Sequence, residues 1–151
     1  MRGWPKLGRR GAAAVELAIA LPLTAVLLGN LVDYGMMLRR HAQLAVGVAN
    51  AASYAARSGA GVSTATLSGI ATSSSWLTGA TASATAATCH CPTGTPRALG
   101  TAVACTATCA DGGTAQRYMT VTGSYSFVPS FPLVSAAGPR TLSHSATVVV
   151  R

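Results

Sequence analysis

The sequence predicts an α+β fold, in which a long N-terminal helix, first transmembrane and then exposed, carries a small antiparallel β-sheet domain stabilised by disulfides. Three observations lead to this prediction. The segment from Gly11 to Leu38 is almost entirely apolar. Two later segments, "QRYMTVTGSYSF" and "TLSHSATVVVR", alternate apolar and polar residues as half-buried strands do. All four cysteines lie between Cys89 and Cys109, in a region rich in threonine, serine and glycine.

The composition indicates that part of the chain lies outside water. The chain has 151 residues, enough for one ordinary domain and an appendage. Half of the residues are hydrophobic but only 5% are aromatic, so any soluble core must consist of many small contacts. Charged residues make up 9%, well below the roughly 25% of soluble domains. The mean hydropathy of +0.41 agrees with that deficit.

The basic residues are not arranged for nucleic acid, although the formal net charge is +8. Four of them crowd the N-terminus: Arg2, Lys6, Arg9 and Arg10. The other seven are scattered, apart from the pair Arg39 and Arg40, and no basic stripe alternates with aromatic residues. We therefore expect no nucleic-acid partner.

The apolar segment has the length and composition of a membrane span. Only Glu16 and Asp33 are charged between Gly11 and Leu38. A helix needs about 20 residues to cross the hydrocarbon core, and residues 12–32 meet that length. A buried core helix fits less well, because the segment is apolar on all sides rather than along one stripe. We expect a transmembrane helix over about residues 12–38, in contact with the lipid bilayer.

The flanking charges predict the orientation of this span. Four basic residues precede it and two follow, which places the N-terminus in the cytoplasm and the C-terminal domain outside. A cleavable signal peptide is the main alternative, but its apolar region usually has only about 7–15 residues. The sequence after the span, "GNLVDYGMMLRR", also lacks an A-x-A site. We favour a single-pass membrane protein in which the apolar span is retained rather than removed with a signal peptide.

The helix is expected to continue beyond the membrane to about Arg57. The segment "HAQLAVGVANAASYAARSG" contains no proline, and Gly59 and Gly61 supply a stop. Pro22 should weaken or kink the first part locally. Small apolar residues recur at spacings of 4, 3 and 4: Leu44, Val48, Ala51 and Ala55. This stripe predicts packing against the chain's own C-terminal domain, with subunit contact as the alternative.

The residues around Glu16 form a recognisable pattern. Basic residues and Gly11 come first, then a short stretch of small residues, then Glu16 as the fifth residue after the glycine, then the apolar helix. The N-terminal third, "RRGAAAVELAIALPLTAVLLGNLVDYG" with "LAVGVANAASYAAR", resembles the TadE-like pseudopilin family, which is type IV pilin-like. The likeness covers about 50 residues, and "YMTVTGSYSFVPSFPL" is more weakly similar. Leu17 stands where the family often has an aromatic residue, which argues against a major pilin.

The resemblance implies that a prepilin peptidase cuts between Gly11 and Ala12 on the cytoplasmic side. Residues 1–11 would then be a basic leader, and its removal would lower the net charge from +8 to +4, because four basic residues leave. The resemblance also implies that the carboxylate of Glu16 pairs with the new amine of Ala12 in a neighbouring subunit. Such opposite charges attract strongly at low dielectric constant. A simpler alternative places Glu16 at the headgroup level.

Two functions are compatible with this pattern. In the first, the protein is a minor pseudopilin of a Flp-type (tight adherence) pilus or related secretion machinery. Its partners would be other pilins or pseudopilins and inner-membrane assembly proteins. In the second, it is a single-span, membrane-anchored extracytoplasmic binding domain with no processing and no assembly.

The outer domain, residues 58–151, is expected to begin with a short helix over Ser63–Ser74. Ser63 or Thr64 would cap it, with Leu67, Ile70 and Ala71 facing inward. The segment "TAATCHC" predicts a strand, and "VPSFPLVSAAGPR" predicts a proline-rich connection between the two long strands. Gly123, inside the predicted strand "QRYMTVTGSYSF", predicts a β-bulge.

The cysteines predict disulfides rather than a metal site. Cys89 and Cys91 would point to the same face of a strand, so each should bond to Cys105 or Cys109, with the pairing left open. The zinc alternative requires four thiolates or histidines, but the spacing is unlike the usual ribbon at one end and export would oxidise the thiols. We therefore expect no metal and no cofactor.

No catalytic arrangement is evident in the sequence. Beyond the predicted leader the acids are Glu16, Asp33 and Asp111, and Asp111 begins an Asp-Gly-Gly turn signal. His41, His90 and His144 have no evident acid or nucleophile as a catalytic partner nearby in the sequence. We expect the protein not to be an enzyme.

Overall fold

The computed structural model describes residues 9–93, 98–131 and 138–151. Two helices come first and five strands follow: α1 (Arg9–Ser58), α2 (Thr64–Ser75), β1 (Thr81–Ala84), β2 (Thr88–Thr93), β3 (Ala98–Val103), β4 (Gln116–Phe127) and β5 (Arg140–Val150). All strand pairings are antiparallel. A long apolar helix followed by a small antiparallel sheet confirms the predicted α+β class.

Helix α1 is continuous from Arg9 to Ser58 and includes Pro22. In the described part of the chain it is the one helix long and apolar enough to cross a membrane. Only 11% of its 18-residue apolar window is buried, whereas the core helix of a soluble protein would be mostly buried. Thr24 and Asn30 donate side-chain hydrogen bonds to carbonyl groups one turn earlier, at 2.8 and 2.5 Å. These polar side chains are thereby suited to apolar surroundings.

The chain divides into two compact units. The first consists of residues 1–37 and 128–139, so the connection after β4 belongs with the first part of α1. The second consists of residues 38–127 and 140–151 and contains all five strands.

The sheet of the second unit is centred on β4. One edge of β4 pairs with β5 from Arg117↔Val150 to Phe127↔Arg140. The other edge is shared by β1 and β2, and β3 pairs with the outer edge of β2. Between β1 and β2, residues 85–87 stand opposite only residues 119–120, which makes a one-residue bulge. The N–H of Thr120 donates to Thr85 Oγ1 at 3.0 Å and spans this irregularity.

The bulge expected at Gly123 is wrong. Gly123 keeps an unbroken register, with Ala82 on one side and His144 on the other. A Cβ at Gly123 would lie 2.9 Å from side-chain carbons of both Leu44 and Val48. The glycine therefore allows α1 to approach the sheet closely, which is a second common reason for glycine inside a strand.

The core of the second unit lies between the sheet and both helices. Its buried residues come from α1 (Val48, Ala51, Ala55), α2 (Leu67, Ala71), β4 (Met119, Val121) and β5 (Val150). The predicted stripe on α1 is buried against the chain's own domain, which confirms the first interpretation. Helix α2 begins as expected, with the Ser63 side chain accepting a hydrogen bond from the N–H of Thr66 at 3.1 Å.

Candidate functional site

The residues predicted for processing and assembly lie in the first turns of α1. Gly11 and Ala12 fall inside the helix, because it begins at Arg9. Glu16 is exposed and forms no hydrogen bond or ion pair with any other described residue. A protease binds its substrate in an extended form, so the predicted cleavage would require the first turn to unwind. That turn is the least costly one to open, since its N–H groups lack intrahelical partners.

Asp33, the second acid of the apolar part, has a different environment. Its side chain is fully buried. Its Oδ2 accepts hydrogen bonds from the backbone N–H groups of Ser130 at 2.8 Å and Phe131 at 2.6 Å. Its Oδ1 is buried and accepts no hydrogen bond from the residues that the structure describes. Asp33 therefore fastens the connection after β4 to the first part of α1.

Gly29, one turn before Asp33, provides the seat for an aromatic ring. A Cβ built on Gly29 would overlap Cγ, Cδ1 and Cε1 of the Phe131 side chain. Only glycine at this position lets the ring lie against the helix backbone. Pro129, next to the two N–H donors, is also buried. We call residues 128–131 the docked segment.

The four cysteines form two disulfides that fasten β2 to the following loop. Cys89 bonds to Cys105 and Cys91 bonds to Cys109, with Cα–Cα distances of 5.1 and 5.5 Å. Disulfide bonding was predicted, and the structure supplies the pairing that the sequence left open. Because all four sulfur atoms are in disulfides, none is available as a thiolate ligand for zinc.

His90, between the two cysteines of β2, has a structural role. Its Nδ1 donates to the carbonyl of Gly100 at 2.8 Å, since a carbonyl oxygen can only accept. Its Nε2 lies 2.9 Å from Thr88 Oγ1, and its ring meets Tyr118 edge-on. The histidine thus ties β2 to β3 where their register shifts, between His90 and Pro92.

In the described ranges, no group of three or more histidine, cysteine or acidic side chains is arranged to hold a metal ion. Asp111 Oδ1 accepts a hydrogen bond from the N–H of Gly113 at 3.0 Å, and Gly112 has φ +80, which confirms the predicted turn. The rings of His41 and His144 meet edge-on, with their centroids 5.8 Å apart. That the protein is not an enzyme stays a prediction.

A shallow groove between α1 and α2 was not predicted. It has a volume of about 230 Å³, and its lining includes Arg39, Gln43, Val46 and Trp76. Trp76 is 85% exposed and has a left-handed backbone, with φ 55. A single tryptophan at the end of a helix produces no periodic pattern, so no local signal indicated this groove.

No family model, curated protein or solved structure matches the chain. The two acids of the apolar part of α1 differ: Glu16 is exposed and has no partner among the described residues, whereas Asp33 is buried and accepts two hydrogen bonds.

Proposed function

We propose that this protein is a minor pseudopilin, a structural or assembly subunit of a bacterial Flp-type (tight adherence) pilus or related secretion machinery. Helix α1 would hold it in the inner membrane, and a prepilin peptidase would process it at Gly11. The contrast between its two acids carries the proposal. Asp33 accepts two hydrogen bonds within its own chain, whereas Glu16 lies exposed among apolar side chains with no partner in the described part.

An unpaired carboxylate near hydrocarbon is unfavourable, by about 2.5–3.5 kcal/mol at the centre of a membrane helix. Because no described residue pairs with Glu16, a positively charged group of a neighbouring subunit would stabilise it. The new amine of Ala12 in a neighbouring, processed subunit is a suitable partner, because it carries the opposite charge and is created only by cleavage. Such a pair fixes the register between two helices in addition to attracting them.

Helix α1 supplies two different surfaces for such a subunit. Its stripe at Leu44, Val48, Ala51 and Ala55 is already covered by the chain's own domain. Its earlier residues carry exposed apolar side chains, including Leu17, Leu21 and Leu28. These can face lipid before assembly and neighbouring helices after it. We infer that subunit contacts use the first part of α1 rather than the stripe.

Removing the leader would prepare the subunit for assembly. The four basic residues before Gly11 favour a cytoplasmic N-terminus and oppose movement out of the membrane. Cleavage lowers the net charge from +8 to +4, because these four residues leave. It also creates the amine that Glu16 requires. One proteolytic step would thus release the anchor and provide the assembly contact.

Coexpression with an active prepilin peptidase tests the proposal. We expect intact-mass spectrometry to show a mature chain that begins at Ala12. Gly11→Ala should stay full length, while the matched variant Gly8→Ala should be cleaved normally. Glu16→Gln, which keeps the shape but removes the charge, should reduce crosslinking to neighbouring subunits in the processed protein.

An intact Met1 beside an active peptidase would contradict the proposal and favour the unprocessed, membrane-anchored binding domain. A new N-terminus beyond about residue 38 would instead indicate a secreted domain with a cleavable signal peptide. Crosslinking of Glu16→Gln at the level of the unmodified protein would exclude the proposed charge pair.

A further inference from the structure

We propose that the docked segment, held on α1 by Asp33, is an interfacial element that places Val128 and Phe131 at the boundary between lipid headgroups and acyl chains. The partner is the lipid bilayer itself. This inference rests on the membrane-spanning part of the proposed function and goes beyond it. In the proposed function only α1 contacts the membrane, and the connection between β4 and β5 does not.

The docked segment and the residue after it have few free backbone donors. Pro129 and Pro132 have no N–H group. The N–H groups of Ser130 and Phe131, which lie between these prolines, both donate to Asp33 Oδ2. In water a free N–H costs nothing, but near hydrocarbon each unpaired N–H costs several kcal/mol. The arrangement therefore suits a segment at the edge of the hydrocarbon region.

The same two hydrogen bonds stabilise the carboxylate of Asp33. A carboxylate in the last turns of a membrane span is unfavourable unless it has a partner. Asp33 is fully buried, and both described donors to its Oδ2 come from the docked segment. The docking therefore pairs one oxygen of the acid with two N–H groups of the segment, and neither side would be suited to lipid alone.

Large apolar side chains are exposed in the docked segment and on α1 near Asp33. Val128 is 67% exposed and Phe131 is 38% exposed. On α1, the residues around Asp33 are exposed to a similar degree, between 55% and 66%: Leu28, Leu31 and Val32. Residues 128–139 contain no charged residue. Exposed apolar surface of this kind indicates contact with a membrane or a protein.

The pairing of the amide groups favours lipid over a protein neighbour. A protein neighbour can offer carbonyl groups to free N–H groups, so it would not require proline at two positions and internal pairing at two others. Lipid chains offer no acceptor, and there the internal pairing is needed.

Basic residues follow both points at which the chain leaves this unit. The unit ends at Met37 on α1 and at Pro139 after the connection. Arg39 and Arg40 follow the first point, and Arg140 follows the second. Arginine near the end of an apolar span can extend its charged head to the membrane interface. The sequence thus changes from apolar to basic at both exits, as expected at a membrane surface.

Fluorescence quenching of the full-length protein in vesicles tests this inference. An environment-sensitive nitrobenzoxadiazole probe is attached to one introduced cysteine, with both native disulfides intact, in phosphatidylethanolamine–phosphatidylglycerol vesicles. The test position is Val128. Leu23 reports on the span, and Ser145, which is exposed on β5, reports on water. We expect nitroxide-labelled acyl chains to quench the probe at Val128 and Leu23, and aqueous iodide to quench it only at Ser145.

Variants of Asp33 and Gly29 show whether the docking causes the lipid contact. Asp33→Ala removes the acceptor, so the probe at Val128 should lose most of its acyl-chain quenching while the probe at Leu23 keeps it. Asp33→Asn retains an oxygen acceptor and should preserve most of it. Gly29→Val should displace the Phe131 ring and act like Asp33→Ala. Gly35→Val is the matched control, since a Cβ there meets nothing within 4 Å.

Three results would overturn the inference, and they are distinguishable. If iodide quenches the probe at Val128 while nitroxide-labelled lipid quenches the probe at Leu23, the membrane span is supported and the interfacial position of the docked segment is wrong. If iodide quenches both probes, the membrane span in the proposed function is also wrong. If neither quencher reaches the probe at Val128, a protein surface covers the docked segment instead of lipid.

Discussion

Replacing Gly47 by alanine should force α1 and α2 apart. Gly47 is buried where these helices meet. A Cβ there would overlap the carbonyl oxygen of Ala71 and would lie 2.9 Å from Ser75 Cβ and 3.0 Å from Ser75 N. These are backbone atoms or atoms directly attached to the backbone, so no rotamer change can relieve the overlap. Helix α2 must move as a whole.

The expected cost follows from two opposing effects. Alanine is a better helix former than glycine by about 0.8–1 kcal/mol, which favours the variant. Overpacking in a well-packed core costs about 1–3 kcal/mol, and we expect the upper end because the overlap involves a backbone carbonyl. The free energy of unfolding should therefore fall by about 2 kcal/mol. In a domain of about 100 residues this lowers Tm by about 10 °C.

Gly69→Ala is the matched control for this experiment. Gly69 is exposed inside α2, and a Cβ there meets nothing within 4 Å. Alanine at this position should raise the free energy of unfolding by about 0.5–1 kcal/mol through helix propensity alone. Differential scanning calorimetry of both full-length variants in detergent measures the difference. A Gly47→Ala protein that melts at or above the temperature of the unmodified protein would refute the close approach of the two helices.

Two further substitutions test the stability of the second unit. Replacing Cys91 and Cys109 together by serine should lower the free energy of unfolding by about 3 kcal/mol, because a cross-link over 18 residues is lost. The loss is measured as a lower Tm, and an unchanged Tm would contradict the expected contribution of this disulfide. Ser63→Ala should cost about 1 kcal/mol in the same assay, because it removes the cap of α2. Ser73→Ala, in the same helix and exposed, should cost nothing, and equal effects of both variants would argue against the capping role.

The sequence predicted those helices and strands in which buried residues recur at a regular spacing. The stripe of α1 recurs at helical spacing, and α2 combines a serine cap with the inward residues Leu67 and Ala71. Strands β4 and β5 alternate over 12 and 11 residues, and their apolar faces meet the helices. In these elements the local pattern and the tertiary packing require the same residues.

Strands β1 and β3 were not predicted, β2 was predicted with a start three residues too early, and the bulge at Gly123 was wrong. Strands β1 and β3 contain small residues with little apolar alternation, so they depend on pairing with neighbours and not on local preference. Strand β2 begins at Thr88 rather than Thr85, because residues 85–87 form the bulge. The reason for glycine at position 123 is its close contact with α1, which no local sequence pattern reveals.

The candidate site was predictable only where its residues are close in sequence. The pattern from Gly11 to Glu16 lies within six residues. The donors of Asp33 lie 97 and 98 residues away, so no local pattern connects them. The available signal was indirect: an acid inside an apolar segment, and a later apolar segment in which prolines remove N–H groups.

The position of β5 in the core has a consequence for biogenesis. Val150 packs in the same cluster as Val48 and Ala51 of α1, about 100 residues earlier in the chain. Contacts of such long sequence separation form slowly, because a large loop must close first. During synthesis, the stripe of α1 emerges long before β5, and part of its cover is missing until that strand arrives. In the topology proposed above, the chain therefore passes through an interval in which chaperones and other nascent chains can bind the stripe, and the arrival of the final strand ends that interval.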